Sequence, residues 1–157
     1  MEFKHAGDPE RDPLHYKACG LDDVYLCSGY VIEETLYGEG VSVKNIDELH
    51  QAIGKHLIAV RKTLAGKEVR FLRHQMDLTQ SELGRLLGCD SQQIARYEKA
   101  QSAMPGPSDR LLRLLYREHL NQKIDVRLLL TQFESLDDVQ NTRMVFERGA
   151  SGWKSAA

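Results

Sequence analysis

Two polar side chains four residues apart, Gln92 and Arg96, have the chemistry that recognises base edges in double-stranded DNA. A glutamine amide can pair with N6 and N7 of adenine, and an arginine guanidinium can pair with O6 and N7 of guanine. Residues at positions i and i+4 are neighbours on one helix surface, so an α-helix would present both side chains together. The spacing therefore predicts a helix that reads base edges from one exposed face.

Five further residues around this pair are candidates for DNA contacts. Ser91 and Gln93 belong to the same predicted helix and are candidate base contacts. Thr79 and Gln80 begin the preceding helix, where free backbone N–H groups can hold a phosphate. Lys99, just past the second helix, suits a phosphate contact because it supplies a positive charge.

Two short helices joined by a tight turn would position these side chains. Thr79 is the expected N-cap of the first helix, and Asp90 or Ser91 is the expected N-cap of the second. Gly88, between them, suits the left-handed residue that ends a helix. The residues expected to face inward from the two helices are Leu83, Leu86, Leu87, Ile94 and Tyr97.

The stretch LTQSELGRLLGCDSQQIARYEKA, residues 78–100, resembles the helix-turn-helix of the phage Cro/repressor-like (Xre) family. The matching elements are the Leu-Thr-Gln opening, the Leu-Gly pair and the aromatic-Glu-Lys ending. The resemblance covers residues 66–118 and implies a DNA-binding regulator, usually dimeric, with its third helix in the major groove. Two residues depart from the pattern. Asp90 replaces a common Ser or Thr, and Ala100 replaces a frequent Gly, at a cost of about 1 kcal/mol if left-handed.

A narrower resemblance is to the MqsA-type antitoxins, in the order of parts and in residues 95–115, ARYEKAQSAMPGPSDRLLRLL. It implies an N-terminal domain that engages a toxin protein and a C-terminal helix-turn-helix that binds the operator. That family holds zinc through paired Cys-x-x-Cys motifs, whereas seven residues separate Cys19 from Cys27 here and no second pair exists. Adding His5 and His15 gives no common zinc spacing, so neither a metal nor a cofactor is expected.

The first third of the chain predicts a hairpin and a helix. Within residues 24–32, VYLCSGYVI, large apolar side chains alternate onto one face, as in a strand, at Val24, Leu26, Tyr30 and Ile32. A weaker second strand would end at residues 41–43. Asn45 is a plausible N-cap for the following helix, with Glu48 three residues later. A stripe at helical spacing, which would cover the hairpin, consists of Leu49, Ile53, Leu57 and Val60.

The predicted organisation has four segments. Residues 1–15 form a flexible arm, 16–62 a small α+β domain, 63–136 a helix-turn-helix DNA-binding domain with a C-terminal helix, and 137–157 a mobile tail. The predicted fold class is therefore mainly α, a lambda-repressor-like helix-turn-helix bundle preceded by a small α+β unit of a hairpin plus a helix.

The charge is distributed unevenly along the chain. The net charge is −2, but residues 1–60 hold 5 basic and 11 acidic side chains, whereas residues 61–119 hold 11 basic and 7 acidic ones. Arg70 and Arg73 are expected to widen the basic surface around the DNA-reading helix. The acidic N-terminal domain would suit a basic protein partner, such as a toxin that acts on RNA.

These observations favour a sequence-specific DNA-binding transcriptional regulator, specifically an antitoxin-type autorepressor whose residues 16–62 bind a toxin protein. The alternative is a stand-alone repressor whose N-terminal domain senses a ligand or dimerises. An enzyme is not expected, because the sequence has no Ser-His-Asp order, phosphate-binding glycine loop or His/Glu ligand cluster. A cytoplasmic protein is expected, because no signal peptide and no apolar run of membrane-spanning length is present.

A homodimer is predicted for two reasons. One short recognition helix reads only a few base pairs, so useful specificity needs two half-sites. The apolar side chains of the last predicted helix, around residues 122–135, also exceed what a small helical core needs; they include Val126, Leu129, Leu130 and Phe133.

Overall fold

The computed structural model describes residues 3–5, 13–136 and 143–156. These residues form two compact units. Unit 1 comprises Met1–Ile53 together with Asn141–Ala157, and unit 2 comprises Gly54–Gln140. Unit 2 is therefore inserted in sequence between the two parts of unit 1.

Unit 1 contains two small sheets. The first has the order β1-β4-β5 and is antiparallel, and the second has the order β2-β3-β6-β7. In the second sheet β3 and β6 run parallel, while the other neighbours are antiparallel. The strands are β1 (Phe3–His5), β2 (Leu14–His15), β3 (Val24–Leu26), β4 (Tyr30–Thr35), β5 (Gly38–Val43), β6 (Met144–Gly149) and β7 (Gly152–Ser155).

The strand predicted over residues 24–32 is two strands in the structure. β3 and β4 belong to different sheets, and the chain turns between them at Gly29, which has φ +80°. The alternation persists because Val24 and Leu26 are buried in β3 and Tyr30 is buried in β4. The predicted hairpin is the β4–β5 pair, in which Tyr30 lies opposite Val43.

The mobile tail predicted for residues 137–157 is wrong over residues 144–155, which form β6 and β7. Met144 and Phe146 are buried, and β6 pairs with β3 with Met144 opposite Val24. Trp153 anchors the end of this hairpin, because its backbone N–H donates to Glu48 Oε1 at 2.9 Å and its Nε1 donates to the Lys44 carbonyl at 3.0 Å. Residues 137–142 and 157 lie outside the described part.

The flexible arm predicted for residues 1–15 lies partly outside the described residues, since 1, 2 and 6–12 are not described. The remainder is not a free arm. Phe3–His5 pairs with β4, and Leu14–His15 pairs with β3. Backbone pairing with strands further along the chain therefore holds both short segments.

Helices make up unit 2 and link it to unit 1. Helix α1 begins behind Asn45, whose amide donates to Glu48 Oε2 at 2.6 Å, and it crosses from unit 1 into unit 2 between Ile53 and Gly54. The helices are α1 (Ile46–Val60), α2 (Gly66–Gln75), α3 (Gln80–Leu87), α4 (Ser91–Glu98), α5 (Gly106–His119) and α6 (Val126–Glu134).

The predicted mainly α fold class is wrong. Helices account for 46% of the structure and strands for 20%, so the chain is an α+β protein. Part of the strand content comes from pairings between distant segments, such as β3 with β6, which local sequence patterns do not predict. Within the described residues, no helix combines the length and the apolar character needed to cross a membrane.

A buried ion pair ties three segments of unit 2 together. Arg113 is fully buried in α5, and its Nε donates to Asp109 Oδ1 at 2.7 Å. Its two terminal nitrogens donate to the carbonyls of Ile58 and Lys62, both at 3.1 Å, at the end of α1. Asp109 Oδ2 also accepts the backbone N–H of Leu64 at 2.8 Å. The pair therefore satisfies the Ile58 carbonyl in the last turn of α1 and the Lys62 carbonyl just after it, and it fixes the start of the chain into α2.

Candidate nucleic-acid interface

Helix α3, a three-residue turn and helix α4 are built by local hydrogen bonds. Thr79 Oγ1 accepts the Glu82 backbone N–H at 3.0 Å and caps α3, and Gly88 ends it with φ +81°. Asp90 Oδ1 accepts the Gln93 backbone N–H at 2.8 Å and caps α4. Asp90 therefore caps α4 as a Ser or Thr would, and it places a negative charge at the start of α4.

Close packing of the turn on α3 depends on Gly84. A Cβ at this position would lie 2.5 Å from the Cys89 carbonyl oxygen and 3.2 Å from the Asp90 carbonyl carbon. Both neighbours are backbone atoms that cannot rotate away, so a larger residue would push the turn off α3. This contact fixes the direction in which α4 leaves the turn.

Helix α4 is buried on one side and exposed on the other. Ile94 and Tyr97 are buried, as the sequence predicts, and Leu83 of α3 is buried too. Leu86 was expected to face inward but is 50% exposed, and Leu87 is half-buried. The buried side chains hold α4 by its inner face and leave its outer face to solvent.

The candidate base-reading side chains lie on the outer face. Ser91, Gln92 and Arg96 are exposed on α4, and Lys99 is exposed at its end. Gln93 differs, since it is half-buried and its Nε2 donates to Ser102 Oγ at 3.3 Å. The structure therefore brings Gln92 and Arg96 together as the spacing predicts, and it ties Gln93 to the protein itself.

Gln80 and Thr79 do not present free side chains at the start of α3. One N–H of the Gln80 amide donates to Glu98 Oε2 at 2.8 Å, and the Thr79 hydroxyl oxygen serves as the cap. A phosphate at this helix start would meet backbone N–H groups and the second amide hydrogen of Gln80. The contact with Glu98 fixes the direction of that amide.

Glu98 is the centre of a buried clamp that the sequence did not predict. Its carboxylate accepts Arg73 Nε at 2.5 Å and Arg73 Nη2 at 3.3 Å, in addition to Gln80. Arg73 Nη1 also donates to the Leu78 carbonyl at 3.0 Å. The clamp joins α2, α3 and α4. Because Arg73 and Glu98 are 25 residues apart, no helical spacing marks them as partners.

The expectation that Arg73 widens the basic surface is wrong, because its guanidinium is buried in the clamp. Arg70 remains exposed, and its Nε donates to His74 Nε2 at 3.4 Å. Partial burial, and then the charges of Arg73 and Arg70, lower the pKa of His74, with Glu98 acting in the opposite direction. The lowered pKa favours the neutral imidazole of His74, and Arg70 is the exposed arginine on this part of α2.

Ala100 follows α4 in the left-handed conformation, with φ +57°. A side chain in this conformation costs about 1–2 kcal/mol, so Ala100→Gly should raise the free energy of unfolding of unit 2 by about 1 kcal/mol, allowing for the greater freedom of unfolded glycine. Denaturant unfolding followed by helical circular dichroism measures the change. Ala103→Gly, at an exposed loop position without positive φ, is the control and should bring no gain. Equal effects of the two substitutions would contradict the strain at Ala100.

The three cysteines are free thiols in the structure, at Cys19, Cys27 and Cys89. Burial raises the pKa of Cys19 and of Cys89, the latter also through the neighbouring Asp90 charge, so neither favours its thiolate form. Within residues 13–136 and 143–156, no group of three or more His, Cys, Asp or Glu side chains could hold a metal ion. The His5 side chain, named in the zinc alternative, lies outside the described part.

The geometry thus consists of a capped, half-buried helix with an outward-facing glutamine and arginine, supported from behind by a buried ion pair. Comparison of this chain with protein-family models, with curated proteins and with solved structures finds no match.

Proposed function

We propose that this protein is a sequence-specific DNA-binding transcriptional regulator that reads base edges with helix α4. The observation that carries the proposal is the exposure of Gln92 and Arg96 on one face of a helix whose opposite face is buried. A helix held in this way can enter the major groove, which is wide enough for one α-helix. Its outer side chains would then meet base edges without exposing the core.

The surroundings of α4 support the same proposal. Lys99 at the end of α4 and Arg70 on α2 are exposed cations in the same unit. The first turn of α3 offers backbone N–H groups and the side-chain amide of Gln80, which Glu98 holds in place. Contacts of these kinds go to phosphates and set the register of a protein on the duplex, while the base contacts of α4 would set specificity.

The protein would act as a homodimer. Val126 and Leu128 of α6 are 50% and 54% exposed, and exposed apolar side chains on one helix suit a protein interface. Two recognition helices related by a two-fold axis would read half-sites about 10 bp apart. Light scattering at the concentration of the DNA-binding assay tests this assembly, and a monomer with undiminished specific affinity would refute it.

Unit 1 would bind a basic protein partner, which makes the regulator an antitoxin-type autorepressor. The support is the excess of acidic side chains in residues 1–60. A toxin encoded in the neighbouring reading frame should co-purify after co-expression. Loss of operator binding on addition of a small ligand, without a protein partner, would favour the stand-alone repressor instead.

The decisive experiment is selection from a library of random double-stranded DNA by the full chain. The proposal predicts enrichment of one sequence with approximate two-fold symmetry, because two copies of α4 would read it. The same selection with a Gln92→Ala/Arg96→Ala variant should enrich no sequence. If the wild-type chain enriches nothing, or if the variant enriches the same site, the proposed role of α4 is wrong.

Arg96 and Lys99 are expected to contribute differently to binding. Arg96→Ala should weaken binding to the selected site by about 1–3 kcal/mol and relax the preference at one base pair. Lys99→Ala should weaken binding to selected and scrambled duplexes alike and lower the salt slope by about 1, because it loses a phosphate contact. Fluorescence anisotropy across a salt series measures both, with Lys55→Ala as a control at an exposed position on α1. Indistinguishable behaviour of the two variants would argue against base reading by Arg96.

A further inference from the structure

The hairpin of β4 and β5, residues 30–43, ends in two large apolar side chains that touch little of the protein. Leu36 and Tyr37 are both 100% exposed. Hairpin tips are usually occupied by Gly, Asn, Asp, Ser or Pro, which suit the turn and prefer water. The Thr35 hydroxyl holds this tip by donating to the Gly38 carbonyl at 2.8 Å and accepting the Tyr37 backbone N–H at 3.2 Å. The turn therefore presents two apolar side chains on a fixed support.

The strands behind this tip carry three glutamates close together. Glu34 lies directly opposite Glu39 in the strand register, and Glu33 is adjacent. Like charges directly opposite each other destabilise an antiparallel pair. Within the described part of the chain, Glu34 and Glu39 are exposed and form no salt bridge or side-chain hydrogen bond. We name residues 30–43 the acidic hairpin.

The outer strand of the acidic hairpin is open to pairing. In the order β1-β4-β5, β5 stands at the edge of its sheet among the described residues. Val41, on β5, is 49% exposed. The edge of a sheet offers a row of backbone donors and acceptors to an extended segment of another chain.

We propose that the acidic hairpin is the docking surface for a partner protein that presents alternating Lys or Arg and apolar side chains on an extended segment. The basic side chains would neutralise Glu34 and Glu39, and the apolar ones would cover Leu36 and Tyr37. A second copy of this chain does not fit, because it would bring the same glutamates against each other. The inference rests on the part of the proposed function that gives unit 1 a protein partner, and it does not depend on DNA binding by unit 2.

The test uses the full chain and two synthetic peptides of about 12 residues, long enough to pair along a strand. In one peptide lysine alternates with valine, and in the other glutamate replaces lysine. Fluorescence anisotropy of the labelled lysine peptide should show binding that weakens with salt, while the glutamate peptide should not bind. Failure of the lysine peptide to bind, or equal binding of both peptides, would overturn the proposal.

Two hairpin variants locate the binding site. Leu36→Ser/Tyr37→Ser and Glu34→Gln/Glu39→Gln should each weaken peptide binding by at least about tenfold, because each removes one half of the surface. Both should keep the affinity for the selected DNA site, and neither should lower the thermal unfolding midpoint. Glu34→Gln/Glu39→Gln should raise that midpoint, because it removes two like charges that lie opposite each other. The matched controls are Ile46→Ser/Val60→Ser for apolar exposure and Glu118→Gln/Glu134→Gln for charge, all at exposed positions. Unchanged peptide binding in both hairpin variants would place the peptide elsewhere and refute the proposal.

Separate readouts distinguish the two proposals. Loss of peptide binding with intact DNA binding supports the acidic hairpin, whereas failure of the wild-type chain to select DNA refutes the regulatory function alone. Light scattering of the Leu36→Ser/Tyr37→Ser variant adds a further check. If this variant loses a self-association that the wild-type chain shows, the occupant is a second copy and the basic-partner proposal fails.

Discussion

Arg113→Met should lower the free energy of unfolding of unit 2 by about 3–5 kcal/mol, because it leaves the buried Asp109 carboxylate without its counter-charge. The Asp109 carboxylate would lose the opposite charge that compensates its burial, and its side chain is only 8% exposed. The carbonyls of Ile58 and Lys62 would lose their donors at the same time. Denaturant unfolding followed by helical circular dichroism measures this loss.

Two companion variants distinguish the effect of an uncompensated buried charge on stability from the effect of removing an arginine side chain. Arg110→Met changes an exposed arginine of the same helix and should shift stability by no more than about 0.5 kcal/mol. Asp109→Asn/Arg113→Met removes both charges and keeps an acceptor for the Leu64 N–H, so it should be more stable than Arg113→Met alone. A double variant as unstable as Arg113→Met would contradict the explanation by loss of the counter-charge of Asp109. The fluorescence of Trp153, the only tryptophan, follows unit 1 in the same samples.

Glu98→Ala should destabilise unit 2 by about 3–5 kcal/mol, because it leaves the Arg73 guanidinium buried without its counter-charge. The side chains of Arg73 and Glu98 are only 10% and 5% exposed. The same substitution releases the Gln80 amide, so the contacts among α2, α3 and α4 would loosen together. Thermal and denaturant unfolding measure the loss, and DNA affinity should fall with it because α4 loses its support.

The control for this prediction is Glu118→Ala, an exposed glutamate on α5 that should shift stability by no more than about 0.5 kcal/mol. Arg73→Met/Glu98→Leu replaces the pair with apolar groups. Its loss of unfolding free energy should be smaller than the sum of the losses in the single variants Arg73→Met and Glu98→Leu. Strict additivity of the two single changes would show that the pair is not coupled.

Local chemistry made the α3–turn–α4 segment predictable. Thr79, Gly88 and Asp90 act within a few residues of their own positions. Their residue types therefore predict two N-caps and a left-handed residue that ends α3. The burial of Ile94 and Tyr97 follows from helical spacing in the same way. The cost at Ala100 was expected only from the family resemblance, in which Gly is frequent at this position, and Ala100 does have a positive φ.

Non-local contacts were not predictable from one sequence. The pairing of Val24 with Met144 joins two segments of unit 1 that unit 2 separates in sequence, and the polar composition of the C-terminal segment did not indicate it. Arg73 was expected at the surface because no sequence pattern near it indicates an ion pair with Glu98. Asp109 and Arg113 stand at i and i+4, but the same spacing also occurs in exposed pairs, so the spacing alone does not predict burial. Leu36 and Tyr37 were not singled out, because exposure at a hairpin tip depends on where the strands end.

A protein–DNA double-mutant cycle measures whether Arg96 contacts a base edge. The selected duplex is made with 7-deazaguanine, which lacks the N7 acceptor, at each guanine in turn, and the affinities of wild-type and Arg96→Ala proteins are compared. At one guanine of each half-site, the change should cost the wild-type protein about 1–3 kcal/mol and cost Arg96→Ala almost nothing further. If the two changes are additive at every guanine, Arg96 does not read a guanine edge.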